Sequence, residues 1–334
     1  MKAVVLVGGF GTRLRPLTLT TPKPMLPVGH RPMIEGTVEH LARHGVDEVV
    51  LSLGFRPDAF VDAFPDGRCA GVPLRYAVEP EPLDTAGAVR FAADHVGVDG
   101  TFLVVNGDVI ADADLSALVA FHRSHGGEAT LYLTGVEDPS AFGVVPTDAD
   151  GRVLAFVEKP PRDEAPTDQI NAGTYVVEPA VLARIPTGRP VSIERETFPA
   201  MVADGVLYAC PLPGYWLDTG TPQQYLQANL DRCLGRRPGG PPPVHETAEV
   251  APAATVAGSV VGAGARVGAG ARVEGSLLLE GAVVEEGATV VGSIVGPGAR
   301  VGRGASLTAG CVIGAGVEVA AGTSLAGTRV PEPV

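Results

Sequence analysis

The sequence runs to 334 residues with 45% hydrophobic content and 38 acidic against 25 basic residues, a formal net charge of −13. That length and apolar fraction support about two domains with sizeable cores and exclude a disordered tail. The acidic balance argues against nucleic acid or anionic lipid as a partner. The first apolar run, Ala3 to Val7, passes into Gly8-Gly9 and is far shorter than a membrane span or a signal peptide requires, so no membrane partner and a cytoplasmic location are expected. Cys69, Cys210, Cys233 and Cys311 show no paired spacing and read as small buried apolar residues, not as disulfides or zinc ligands.

In chain order, a strand at Ala3 to Val7 precedes a helix at Met33 to His44, strands at Val49 to Leu53 and Leu74 to Val78, a helix at Thr85 to His95 and a strand at Phe102 to Val105. This alternation implies an α/β fold with a mostly parallel sheet, helices on its faces and ligands at the carboxyl ends of its strands. Thr221-Pro222-Gln223-Gln224 has the form of a capping box, with Pro at the first helical position, and opens a helix that Gly235 can end. The run Arg236-Arg237-Pro238-Gly239-Gly240-Pro241-Pro242-Pro243 can be neither helix nor central strand. The expected organisation is therefore a catalytic domain at 1–235, a linker at 236–250 and a second domain at 251–330.

The last aromatic residue is Tyr225, and beyond it Gly, Ala and Val dominate. Val261, Val267, Val273 and Leu279 fall six apart, as do Val295, Val301, Leu307, Ile313, Val319 and Leu325, with a phase slip through Val284 and Val290. This is the hexapeptide pattern of a left-handed parallel β-helix, with about four turns between Gly258 and Gly327. Its open ends and flat sides suit self-association, so a homo-oligomer formed through the β-helix is expected.

Directly after the first strand comes Gly8-Gly9-Phe10-Gly11-Thr12-Arg13-Leu14-Arg15-Pro16-Leu17, and then Pro22-Lys23-Pro24-Met25-Leu26-Pro27. A Gly-rich turn leaving a strand lets backbone N–H groups approach phosphate oxygens, and the basic residues add charge there. It has neither the ending of a P-loop nor the GxGxxG spacing of a dinucleotide fold. Lysine occurs only at Lys2, Lys23 and Lys159, so an Arg-rich chain keeps a compact point charge beside this loop and in Val157-Glu158-Lys159-Pro160. Asp108 ends an apolar strand and Asp218 stands at a Gly-rich turn. Two such carboxylates suffice for Mg²⁺, which completes its shell with substrate phosphates.

Taken together, these segments resemble the signature of the sugar-nucleotide pyrophosphorylases, the sugar-1-phosphate nucleotidylyltransferases. Glu81-Pro82-Leu83-Asp84-Thr85-Ala86-Gly87, Phe142-Gly143-Val144-Val145, Glu158-Lys159-Pro160, Asn171-Ala172-Gly173-Thr174-Tyr175, Ser192-Ile193-Glu194-Arg195-Glu196 and Tyr215-Trp216-Leu217-Asp218-Thr219-Gly220-Thr221-Pro222 carry it along nearly the whole chain. The resemblance is greatest to the members that join GTP to mannose 1-phosphate and carry a hexapeptide β-helix. It implies a Rossmann-like nucleotidyltransferase domain that yields GDP-mannose and pyrophosphate. By the same resemblance Gly8, Gly9, Gly11, Thr12 and Arg13 hold the triphosphate, Arg13 and Lys23 neutralise it, and Asp108 and Asp218 bind Mg²⁺. Glu79 reads the base, with Asp84, Thr85 and Ala86 also at the nucleotide, while Lys159 grips the sugar phosphate among Gly143, Glu158, Asn171 and Glu194. One departure concerns the base: the family's usual Gly stands as Asp84 here. A glucose-1-phosphate thymidylyl- or uridylyltransferase and a catalytically inert regulatory subunit of the same family are the alternatives.

Overall fold

The computed structural model describes residues 1–54 and 56–332. These form two compact units, one of Met1–Gly9 with Ile34–Trp216, the other of Phe10–Met33 with the chain from Leu217 onward.

The first unit contains β1 (Lys2–Leu6), α1 (Met33–Arg43), β2 (Glu48–Leu53), α2 (Pro57–Ala63), β3 (Arg68–Cys69), β4 (Val72–Val78), α3 (Asp84–Val96), β5 (Phe102–Asn106) and β6 (Val109–Ala111). It continues with α4 (Leu115–His125), β7 (Ala129–Gly135), β8 (Gly143–Val144), β9 (Val157–Glu158), β10 (Gln169–Val177), α5 (Ala180–Arg184), α6 (Phe198–Ala203) and β11 (Leu207–Pro211). The main sheet has the order β11-β7-β10-β5-β1-β2-β4-β3, with β8 and β9 extending from β10. Strand β1 is parallel to β2 and β5, β2 to β4, and β11 to β7, whereas β10 runs antiparallel to β5 and β7. The result is the mostly parallel sheet that the alternation of elements implies, in the Rossmann-like form that the resemblance implies. Val4, Val5, Leu103 and Val104 have no exposed surface, which is why the central strands read as unbroken apolar runs and not as alternating ones. On α3 the buried face is Ala86, Gly87, Ala88, Val89, Ala92 and Ala93, small side chains that bring the helix close to β1, β2 and β4.

In the second unit β12 (Trp216–Asp218) leads into α7 (Pro222–Cys233), whose expected capping box is present: the Gln224 N–H donates to Thr221 Oγ1 at 3.3 Å and the Thr221 N–H to Gln224 Oε1 at 3.0 Å. The Pro/Gly-rich stretch that follows is tied down. Arg232 Nη1 donates to Pro238 O at 2.7 Å, and a ring nitrogen of His30 meets Pro242 O at 2.9 Å. From β13 (Glu249–Val250) to β27 (Arg329–Val330) the chain winds through three five-stranded parallel sheets, the arrangement of a left-handed parallel β-helix. Val261, Val273, Leu278, Val290, Val295, Val301, Leu307 and Ile313 fill its interior with no exposed surface.

The spacing pattern puts Leu279 in that inward column, but the structure puts Leu278 there, in register with Val261 and Val295. The cause is a ladder of buried hydroxyls on one side of the coil. Ser276 Oγ donates to Glu274 O at 2.7 Å and accepts from Ser293 N at 3.1 Å, Ser259 Oγ accepts from Ser276 N at 3.0 Å, and Ser293 Oγ accepts from Cys311 N at 3.2 Å. A hydroxyl that bridges successive coils lets this side close one residue sooner, and the six-residue spacing slips at each serine. Removing one leaves an N–H buried without an acceptor, so Ser276→Ala is expected to lower stability by about 1–3 kcal/mol. Denaturant unfolding of the full chain measures this.

Candidate functional site

In the first unit Gly8 and Gly9 follow β1 at the carboxyl edge of the sheet. A Cβ on Gly8 would lie 3.3 Å from the Gly54 nitrogen and 3.4 Å from Glu79 Oε1, so the exits of β1, β2 and β4 converge there. Glu79 is fixed from two sides: Ser52 Oγ donates to Oε1 at 3.0 Å and the Leu83 N–H to Oε2 at 3.1 Å. Each carboxylate oxygen has further lone-pair capacity for a ligand. Ser52 therefore orients the expected base-reading acid, a role with no signal in the sequence because it lies inside an apolar strand.

Asp84 opens α3 with φ +58°, a left-handed conformation that favours Gly, which gives the family's usual glycine at this place a physical reason. The side chain compensates in part, accepting from the Thr85 N–H through Oδ1 at 2.7 Å, and its charge suits a helix N-terminus. Asp84→Gly is thus expected to leave stability within about 0.5 kcal/mol, while Asp84→Ala, with strain and no compensation, should cost about 1–2 kcal/mol in a chemical melt. Thr85 and Glu194, expected at opposite ends of the substrate pair, are joined: Thr85 Oγ1 donates to Glu194 Oε2 at 2.8 Å and accepts from the Ile193 N–H at 2.8 Å. Ala86 is fully buried and its N–H donates to Val191 O at 2.8 Å, so it locks the start of α3 against the 191–194 turn.

Asp108 follows β5, whose Asn106 pairs with Leu6 of β1. The intervening Gly107 is required, since a Cβ there would stand 2.5 Å from Val7 Cγ1. On β10 a register shift between Asn171 and Tyr175 turns Asn171 so that its Nδ2 donates to the Tyr175 hydroxyl at 2.9 Å. Tyr175 has no exposed surface. Burial pushes its hydroxyl well above the ordinary tyrosine range, and the charges of Glu194, Glu158 and Asp108 push it further. This neutral phenol among three carboxylates closes the Asn171–Tyr175 motif, and a buried tyrosine in an apolar strand gives no signal in the sequence that separates it from a packing residue. Gly143 pairs with Glu158 across β8 and β9, and Lys159 Nζ lies 2.7 Å from Glu158 Oε1. Lys159 itself holds φ +50°, unfavourable for a long side chain, while 58% of that side chain is exposed. A strained residue with an exposed ammonium is suited to meeting a sugar phosphate, which would have to compete with Glu158 for it.

In the second unit Gly11, at φ +59°, caps the short turn Thr12–Leu14 and accepts from Thr18 Oγ1 at 2.8 Å. Lys23 is 5% exposed, with Nζ 3.7 Å from Asp218 Oδ1. A Cβ on Gly220 would lie 2.7 Å from Arg13 Nη2 and 2.8 Å from Asp218 Oδ2, so Arg13 and Asp218 both press against that glycine. Arg13, Lys23 and Asp218 thus form a compact group of two cations and one carboxylate, with Thr12 exposed beside it. Among the described residues no three or more His, Cys, Asp or Glu side chains form a closed metal cage. Carboxylates outside such a cage fit a hard cation that takes its remaining ligands from substrate phosphate and water.

Residues 2–233 match the Nucleotidyl transferase family, and residues 239–333 match the GMPPB C-terminal domain. The chain belongs to the nucleotidyl transferase family. This nucleotidyl transferase is 46% identical over 261 residues to a mannose-1-phosphate guanylyltransferase of Mycobacterium tuberculosis, covering 75% of the present chain and 72% of the relative. It is 47% identical over 238 residues to a mannose-1-phosphate guanyltransferase of Aspergillus oryzae, covering 70% of the present chain and 64% of the relative. Among solved structures it resembles HddC from Yersinia pseudotuberculosis complexed with GMP-PN, at TM-score 0.59 and 28% identity over 68% of this chain and 97% of that one. A putative glucose-1-phosphate thymidylyltransferase from Bacillus anthracis is similar at TM-score 0.62 and 29% identity, over 69% of this chain and 94% of that one. Nucleotidyl transferases of this kind generally use a divalent metal. Among the described residues no helix is long and apolar enough to cross a membrane.

Proposed function

We infer that this nucleotidyl transferase makes GDP-mannose and pyrophosphate from GTP and mannose 1-phosphate. The identity to guanylyltransferases is the observation that carries the reading, at 46% with the mycobacterial relative, and the residues named above supply the chemistry. Catalysis belongs to residues 1–235, with self-association through the β-helix of 251–330. A phosphate oxygen of mannose 1-phosphate, already ionised at neutral pH, attacks the α-phosphorus of GTP. The new P–O bond forms as the bond from the α-phosphorus to the β-phosphate oxygen breaks, and pyrophosphate leaves with that electron pair. No proton has to be removed, so the site works by positioning and charge neutralisation. Arg13 and Lys23 neutralise the triphosphate held by the Gly8, Gly9, Gly11 and Thr12 backbone. Lys159 holds the sugar phosphate, and Gly143, Glu158, Asn171 and Glu194 accept the sugar.

The metal is Mg²⁺, held by Asp108 and Asp218; when bound it supplies positive charge to the triphosphate. Glu79, braced by Ser52 and Leu83, reads guanine, whose N1–H and N2 amino group are adjacent donors that a carboxylate accepts. The purified chain with GTP, mannose 1-phosphate and Mg²⁺ should yield GDP-mannose, identified by mass, in equal amount to pyrophosphate. Hydrolysis of GTP without a nucleotide sugar, or no turnover, would sink the reading.

A further inference from the structure

The three sides of the β-helix differ on their outer faces. On one side the residues in register down the coil are Glu249, Arg266, Val283, Arg300 and Glu318, and all but the half-buried Val283 are exposed. On the second they are Thr255, Arg272, Thr289, Ser306 and Ser324, again polar. On the third the column reads Val260, Leu277, Ile294, Val312 and Arg329, and its four aliphatic members are no more than 2% exposed although they point out of the coil. Elements of the same unit cover this side. Helix α7 packs over the strands at Val260–Val261 and Leu277–Leu278, and a Cβ on Gly310 would meet Gln223 of α7 at 3.4 Å.

At the far end the covering element changes from α7 to the segment that contains the triphosphate loop. A Cβ on Gly314 would lie 3.2 Å from Pro16 Cβ, leaving no room between the last coil and residues 13–16. There the column also changes from aliphatic to cationic. Arg329 Nη1 donates to Arg13 O at 2.9 Å and to Arg15 O at 3.3 Å. These carbonyls end the short helical turn Thr12–Leu14, where no helical N–H follows to satisfy them, and a guanidinium both satisfies them and suits the negative end of the turn. The Arg13 side chain, on the same residue, is the one that presses with Asp218 against Gly220.

We propose that Arg329, carried on the last strand of the β-helix, is a positioning residue for the nucleotide: it clamps the backbone of Arg13 and Arg15 and so sets the loop that receives the triphosphate. The proposal rests on the assignment of that loop to the triphosphate. It gives the β-helix a part in substrate binding besides self-association, because the loop's carbonyls have their cationic partner about 316 residues further along the chain.

The test compares Arg329→Met, which keeps the aliphatic stem and removes the donors, with Arg329→Lys, which restores one cationic donor. The nucleotide is whichever of GTP, UTP and dTTP the wild-type chain binds best by calorimetry in the presence of Mg²⁺, so a wrong base shows in the wild type before any variant is compared. Loss of two charge-assisted hydrogen bonds that order a binding loop should raise the Kd and KM for that nucleotide about tenfold in Arg329→Met. The KM for the sugar phosphate should stay within about twofold, and Arg329→Lys should recover part of the loss. An unchanged nucleotide Kd, or an equal loss toward both substrates together with a lowered melting temperature, would overturn the positioning role. A chain that binds its nucleotide but makes no nucleotide sugar would count against the reaction assigned above, and leaves the Kd comparison intact as the test of Arg329.

Discussion

Asp218→Asn and Asp108→Asn are each expected to lower kcat by at least about 10²-fold, because charge supplied to the triphosphate through a metal contributes several kcal/mol to the barrier. Each change removes one negative charge and almost no volume; the melting temperature should barely move for Asp108→Asn, and should fall for Asp218→Asn, which weakens the partner of a nearly buried lysine. The two substitutions should also weaken the apparent affinity for Mg²⁺, read from the dependence of rate on metal concentration. If both carboxylates serve one ion, the double variant should be little worse than the worse single one, since groups that act as a unit are not additive. Asp218 has a second role to separate from this. Its Oδ1 lies 3.7 Å from Lys23 Nζ, so Asp218→Asn also leaves a nearly buried ammonium with a weaker partner. Lys23→Met alone should then lower GTP use without the loss of Mg²⁺ affinity expected of Asp218→Asn, since it removes a cation that competes for the same carboxylate. Near-normal turnover of either Asn variant would remove that residue from the metal.

The second large effect is expected at Lys159. Lys159→Ala should reduce kcat/KM for mannose 1-phosphate by about 10²-fold, the loss of a charge-assisted contact to a dianionic phosphate. The KM for GTP should stay close to wild type. Lys159→Arg should not restore function, because a planar fork replaces a compact charge on a backbone held at φ +50° between Glu158 and Pro160. Equal losses toward both substrates would show that Lys159 supports the fold and does not grip the sugar phosphate.

The fold was legible where one physical signal dominates. Central strands covered on both faces leave unbroken apolar runs, so β1, β2 and β5 could be placed from Ala3–Val7, Val49–Leu53 and Phe102–Val105. The capping box at Thr221 identified the start of α7 because a hydroxyl, a proline and a glutamine three residues on leave little else that the backbone can do. The β-helix was legible from its aliphatic period, but Leu278 was not separable from Leu279, as both are apolar and both are buried. The choice between them is made by the Ser276 hydroxyl, whose bonds run to its own coil and to the next one and leave no local pattern.

The site divides in the same way. Arg13, Lys23, Asp218, Lys159 and Glu158 stand in short motifs with distinctive residue types, and the structure brings Arg13 close to Asp218, Lys23 close to Asp218, and Lys159 close to Glu158. Ser52 bonds to Glu79, Tyr175 to Asn171 and Arg329 to the carbonyls of Arg13 and Arg15, and nothing in their local sequence separates a residue that holds a neighbour from one that merely packs. The doubled aliphatics at Val260–Val261, Leu277–Leu278, Ile294–Val295 and Val312–Ile313 were a visible sign that one face of the coil is covered. Arg329–Val330, next in that series, breaks it where Arg329 donates to the carbonyls of Arg13 and Arg15.

Base and sugar choice is the most direct test of the account. Steady-state kcat/KM should be measured for GTP, UTP, dTTP and ATP, each against mannose 1-phosphate and glucose 1-phosphate, with the wild-type chain and with Glu79→Gln. A carboxylate that accepts two donors of guanine should favour GTP over UTP by at least about tenfold, and Glu79→Gln should shrink that ratio by at least about tenfold. The account predicts the highest efficiency for GTP with mannose 1-phosphate. A wild-type chain that prefers dTTP or UTP with glucose 1-phosphate, or a GTP to UTP ratio that Glu79→Gln leaves unmoved, would contradict it.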